Sequence, residues 1–114
     1  MIHINNAQTF ELTYIDPYSR DKLGIVHEGE GYTAEHTLGR VHPDDLEQAI
    51  SSCRHYLTHI DEFSTVSFMQ RILLPDGSYL PMFTTSMLME PLGGLVSFSM
   101  DLSDQLINQR SIDK

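Results

Sequence analysis

Tryptophan is absent, cysteine occurs once, and only seven lysines and arginines stand against sixteen aspartates and glutamates in the 114 residues. Each shortage excludes something. The single thiol, Cys53, can close no internal disulfide and build no cysteine-rich zinc site, which fits a reducing compartment such as the cytoplasm. A formal charge of -9 repels phosphate backbones and anionic lipid, so neither direct nucleic-acid binding nor membrane binding is expected of this segment. No apolar run approaches the roughly 18 residues that span a bilayer, and Met1 to Phe10 lacks the basic and apolar regions of a secretory signal. Gly-rich phosphate loops, nucleophile elbows and zinc spacings are missing as well, so no motif announces an enzyme. What remains, at 40% hydrophobic content, suffices for one core and not two.

The chain opens with Ile2 and Ile4 alternating with His3 and Asn5, then a polar break, then Phe10, Leu12 and Tyr14 alternating with Glu11 and Thr13. That pattern predicts a hairpin of two half-buried strands. Asp16-Pro17 ends the second strand, and Tyr18 to Leu23 predicts one or two helical turns stopped by Gly24. Gly29 and Gly31 bracket Glu30 in a loop, and Thr33 to Leu38 suits a short helix.

The stretch RVHPDDLEQA, Arg40 to Ala49, sets a histidine beside two aspartates and raises the question of a catalytic site. Helix initiation explains all three residue types. Pro43 suits the first helical position, where its missing N–H costs nothing, and Asp44 and Asp45 put negative charge at the positive end of the helix dipole. Leu46, Ala49, Ile50, Cys53, Leu57 and Ile60 then recur at three- and four-residue steps, giving one apolar stripe over about four turns. Phe63 to Leu74 and Ser78 to Met89 are strand-length segments joined by Pro75-Asp76-Gly77, a strong hairpin signal, and Leu95 to Leu102 follows a second turn as a third strand.

In order and spacing, three motifs resemble those of a PAS domain with its C-terminal PAC half. VHPDDLEQA is similar to the family's helix start, QRILLPDGSYL to its R-x-x-x-x-DGS-Y hairpin, and SFSMDLSD to its closing strand ending in D-I-T. The N-terminal half matches only in outline, through FELTYIDPYSRDKLG. The family often carries a tryptophan shortly after the turn, where this chain has Leu80-Pro81, and Pro81 predicts a bulged or edge-like strand. The resemblance implies an α+β fold: a five-stranded antiparallel sheet in the order 2-1-5-4-3 with helices over one face. It implies a single domain over residues 1–104 and a polar tail, 105–114, that starts a connector helix.

With facing counted from Gly77, the resemblance implies that the side chains toward the helices are Val66, Phe68, Gln70 and Ile72, then Met82, Thr84, Ser86 and Leu88, then Leu95, Ser97 and Ser99. Small hydroxyls among apolar groups either leave room for a small polar ligand or let a helix approach closely. The opposite face carries Met69, Leu73, Phe83, Met87, Val96, Phe98 and Met100, too apolar for open water, so a second copy, the N-terminal segment or a helix from the tail covers it.

His55 and His59, four apart, share a helix face away from the apolar stripe and read as a solvated pair rather than metal ligands. An outward His55 could not reach an internal haem. The cysteine motif of flavin photochemistry, G-x-N-C-R-F-L-Q, is absent, and Cys53 sits on the wrong element; no cofactor is assigned. Glu28, Glu30 and Glu35 with His27 and His36 read as a solvated acidic loop.

The functional expectation is a sensory or regulatory module of a bacterial signalling protein that senses a small ligand or partner and relays it to an output domain of its own chain outside this segment: a histidine kinase, a cyclic-dinucleotide enzyme or a helix-turn-helix regulator. The alternative is a filled core serving only dimerisation or partner docking. A stand-alone enzyme ranks last, because the inner set contains no carboxylate or histidine.

Overall fold

The computed structural model describes residues 1–25, 36–92 and 94–103. Along these residues the chain forms β1 (Ile2–Asn5), β2 (Leu12–Ile15), α1 (Pro17–Leu23), α2 (Pro43–Thr58), β3 (Val66–Leu73), β4 (Tyr79–Met89) and β5 (Gly94–Asp101), with 3-10 turns at Leu38–Arg40 and Glu90–Leu92. The strands make one antiparallel sheet in the order β2-β1-β5-β4-β3, as expected. Both helices start on capped prolines. Asp16 accepts from the Ser19 N–H ahead of Pro17, and His42 Nδ1 accepts from the Asp44 N–H (3.0 Å) ahead of Pro43.

Asp16 also accepts from the Ile2 N–H (2.7 Å), which fastens β1 to the start of α1. At the far end of α1, Gly24 takes the left-handed conformation (φ 65°), and a Cβ there would lie 2.6 Å from Pro75 Cγ. The helix end therefore rests against the β3–β4 turn.

Two apolar clusters join the helices to one face of the sheet. Leu23, Val41, Ile72, Leu80 and Met82 belong to the first, and Ala49, Cys53, Tyr56, Phe68 and Leu95 to the second. The α2 stripe differs from expectation at its end: Ile60 is exposed beyond the helix, while Tyr56 is buried, donating to the Ser64 carbonyl (3.1 Å) and accepting from the Leu88 N–H (2.9 Å). A phenol fits this core because both roles of its hydroxyl are filled.

One strand expectation is corrected, and pairing with β5 fixes the facing of β1 that its alternation left open. Pro81 lies in β4, an interior strand, and the β3–β4 register runs through the Arg71–Pro81 pair without a shift. Its carbonyl accepts from the Leu102 N–H (3.0 Å), and since N and O of one strand residue point the same way, the missing donor falls where β5 has ended. In β1 the apolar alternation points outward: Ile2 is exposed, whereas Asn5 is buried and His3 faces inward beside Ser97. The β1–β2 register shifts between Ile4 and Asn5, which sends Leu12 and Ile15 inward and leaves Tyr14 exposed.

Candidate ligand-binding site

Strand parity and register set the inner face in rows. Gln70, Met82 and Asp101 pair across one row, Phe68, Thr84 and Ser99 across the next, then Val66, Ser86, Ser97, His3 and Ile15, and finally Leu88, Leu95, Asn5 and Leu12. Between this face and α2 lies a cavity of about 80 Å³. Of the side chains expected to face it, Phe68, Gln70, Ile72, Met82, Thr84, Ser86, Leu95 and Ser97 form its wall.

Three expected residues do not border it. Val66 and Leu88 pack instead against the cluster of Cys53, Tyr56 and Phe68 toward the end of α2, and Leu88 also borders a second, more open depression of about 390 Å³ with Leu57 and Gly94. Ser99 is buried behind Thr84.

The rest of the wall escaped strand counting. His3 and Asn5 come from β1, Phe10 from the β1–β2 turn, Leu38, Arg40 and Val41 from the segment before α2, and Ala49, Ile50 and Cys53 from α2; His36 and Thr37 border it too. Phe10 holds a left-handed backbone (φ 60°), uncommon for a bulky residue, and Asn5 Nδ2 donates to its carbonyl (2.9 Å). One signal could have located His3. The outer face was already apolar at Val96 and Phe98, and pairing β1 beside them sends Ile2 and Ile4 outward with them.

The hydroxyls on this face hydrogen-bond one another. Ser86 Oγ lies 2.7 Å from Ser97 Oγ, Thr84 Oγ1 lies 3.0 Å from Ser99 Oγ, and Gln70 Nε2 donates to Thr84 Oγ1 (3.3 Å). Burial lowers the His3 imidazole from 6.5 to about 4, with the positive chain amino group acting in the same direction and Asp16 opposing, so the ring is neutral near pH 7. The Cys53 thiol is pushed up to about 11 by burial and stays protonated, an apolar wall group rather than a nucleophile.

The histidine–aspartate cluster at the start of α2 is structural. His42 caps the helix and lies against the Tyr79 ring at 4.6 Å, while Asp45 turns to Arg71. His55 and His59 stack at 4.2 Å on the surface, with His59 Nδ1 2.8 Å from the His55 carbonyl oxygen, and the described residues contain no cluster of metal-ligating side chains. Glu28, Glu30, Glu35, His27 and the tail from 105 lie outside the described residues. No helix among those described is long and apolar enough to cross a membrane.

On the outer face Met69, Phe83 and Met100 pair in one row, and Phe98 stands beside Ile2 in the next; all five are exposed, Met69 by 60% and Met100 by 54%. Val96 departs from the expected interface set. Flanked in register by Ile4 and Met87, it is 3% exposed and offers no surface to a partner. Met87 and Leu73 are half-buried.

No family model matches the sequence, and neither does any curated protein. Solved structures do match. A sensory box histidine kinase/response regulator from Burkholderia thailandensis superposes with a TM-score of 0.69 at 20% identity, over 98% of this chain and 83% of that one. The N-terminal domain of a diguanylate cyclase with PAS/PAC sensor from Marinobacter aquaeolei gives 0.67 at 25% identity, over 91% and 95%. The fold is that of a PAS domain. An RNA-binding Light-Oxygen-Voltage receptor shares it, with a TM-score of 0.70 at 18% identity over 98% of this chain and 30% of that longer one. Within this PAS fold the helix start, the DGS hairpin and the closing strand occupy α2, β3–β4 and β5, so the motifs that carried the resemblance are the ones that frame the cavity.

Proposed function

We propose that this PAS domain is a sensory module of a bacterial signal-transduction protein that binds a small molecule between α2 and the sheet and relays its presence to an output domain of the same chain. The cavity carries this reading. At about 80 Å³ it exceeds several times the roughly 10–15 Å³ a water needs, and its wall mixes apolar side chains with His3, Asn5 and Gln70. It falls well short of the roughly 300–1,000 Å³ of pockets for drug-sized ligands, so the ligand is small. Residues 1–104 form the sensing unit, and the segment after Asp101 is the route outward. The chain acts as a sensor rather than an enzyme: among the described residues no carboxylate borders the cavity, and the thiol there, Cys53, is protonated. A cytoplasmic setting agrees with the lone cysteine.

The direct hydrogen bonds of Thr84 with Ser99 and of Ser86 with Ser97 favour a second reading, a filled core used only for dimerisation or docking through the apolar outer face. Mass spectrometry of the purified protein after denaturation separates the two. A stoichiometric small molecule released from it supports the sensor; repeated recovery of none from preparations out of different growth media leaves the docking module.

A further inference from the structure

Three side chains reach the cavity with hydrogen-bonding capacity unused. Asn5 spends its Nδ2 on the Phe10 carbonyl (2.9 Å) and Thr37 Oγ1 (3.1 Å), and because a carbonyl only accepts, the amide's orientation is fixed and Oδ1 stays available. Gln70 spends its Nε2 on Thr84 and likewise keeps an oxygen. Neither ring nitrogen of His3 hydrogen-bonds a described residue, so the neutral imidazole offers one donor and one acceptor. Ser97, the register partner of His3, adds to this. Its single bond to Ser86 uses one of the pair's two hydroxyl protons and leaves the other to donate.

Charge is handled differently. No aspartate or glutamate borders the cavity among the described residues, so none of these side chains offers a cation a counter-charge. Among the described residues Arg40 is the one guanidinium at the wall, and it is engaged: Nη1 donates to the Leu23 carbonyl at 2.7 Å and the Leu73 carbonyl at 3.5 Å, and Nη2 to the Gly24 carbonyl at 3.5 Å. An anion would compete with the closure of α1 for it. The burial that keeps His3 neutral would act equally against a charged guest.

We infer that the cavity takes a small uncharged molecule with a hydrogen-bond donor beside an acceptor, of the primary-amide type, held between the His3 ring and the side-chain oxygens of Asn5 and Gln70. This rests on the sensory reading above and names the ligand chemistry that reading leaves open.

Titration of the 15N-labelled full chain with propionamide, propionate and propylammonium, three probes of similar size and different charge, tests it through the Asn5 and Gln70 side-chain resonances. Propionamide is expected to give saturable shifts at concentrations about tenfold or more below those of the two ions. His3→Phe should weaken propionamide about tenfold, while His3→Gln, which restores a donor and an acceptor, should retain most of the binding. Equal or tighter binding of either ion overturns the inference, and so does propionamide binding that is indifferent to His3→Phe. Should that variant fail to fold, the ranking of the three probes on the parent decides. A charged acid or base released from the purified protein sinks this inference and spares the sensor; no released molecule together with no shift from any probe sinks both.

Discussion

Asp45, in the first turn of α2, and Arg71, on β3, meet through two parallel hydrogen bonds, Nε to Oδ2 at 2.8 Å and Nη2 to Oδ1 at 2.9 Å, and the Arg71 backbone N–H adds a third to Oδ2 at 2.9 Å. With the His42 N–H donating to the Arg71 carbonyl (2.8 Å) and Val41 bridging Ile72, the pair closes part of the free edge of β3.

Acid sensitivity follows from this pair. Hydrogen bonds and charge from Arg71 hold the Asp45 carboxyl down from 3.8 to about 2, and Asp16, where burial opposes but donors from Ile2 and Ser19 prevail, is also held at about 2. Both values lie below the unfolded one, so the stabilisation is full above about pH 4 and is lost as pH falls toward 2. Urea unfolding of the parent should show its midpoint dropping across that window. Asp45→Asn should start lower and drop less; an unchanged slope would mean the pair adds nothing.

Tyr56→Phe should cost ~1–3 kcal/mol in urea unfolding, because the Leu88 N–H and the Ser64 carbonyl lose their partner at a site where Tyr56 is only 2% exposed. Parent-like stability would show that water replaces the hydroxyl there.

Ser86→Leu places three extra carbons against the cavity and removes the partner of Ser97. The expected result is a folded protein that no longer retains its small molecule, with a stability loss below the ~1–3 kcal/mol typical of overpacking. A larger loss, with nothing recoverable from the parent, would leave the docking module as the better account.

Phe98→Glu puts a carboxylate in the middle of the apolar outer face, beside Ile2. If a second copy covers that face, light scattering should show a dimeric parent and a monomeric variant, since a charge sealed there has no partner. A parent already monomeric at high concentration assigns the cover to its own chain.

Most of the frame was legible because it depends on local chemistry. Pro43 with Asp44 and Asp45 started a helix where expected, and Asp76-Gly77 fixed the parity that brought Phe68, Gln70, Thr84 and Ser86 to the cavity. Tertiary placement decided the rest. The sheet is apolar on both faces, so alternation alone could not tell which way Ile2 and Ile4 pointed, and His3 and Asn5 were missed with them. Tyr56 was passed over for Ile60 because its hydroxyl reads as polar until Ser64 and Leu88 are seen to satisfy it. Val41 and Leu38 reach the wall only through the bridge to Ile72 and the turn before it, which no periodicity encodes.

The sheet order carries a consequence for biosynthesis. Among the strands of this sheet β1 is made before the others, yet it sits between β2 and β5, and half of its backbone pairing waits for β5, the last of the five. Until then β1 and β2 have only each other, and a lone two-stranded hairpin is marginal in water. His3 and Ser97 thus meet only when nearly the whole domain has emerged, so a chain stalled before β5 has neither a cavity nor a closed sheet, and its exposed strands are open to chaperones and to aggregation.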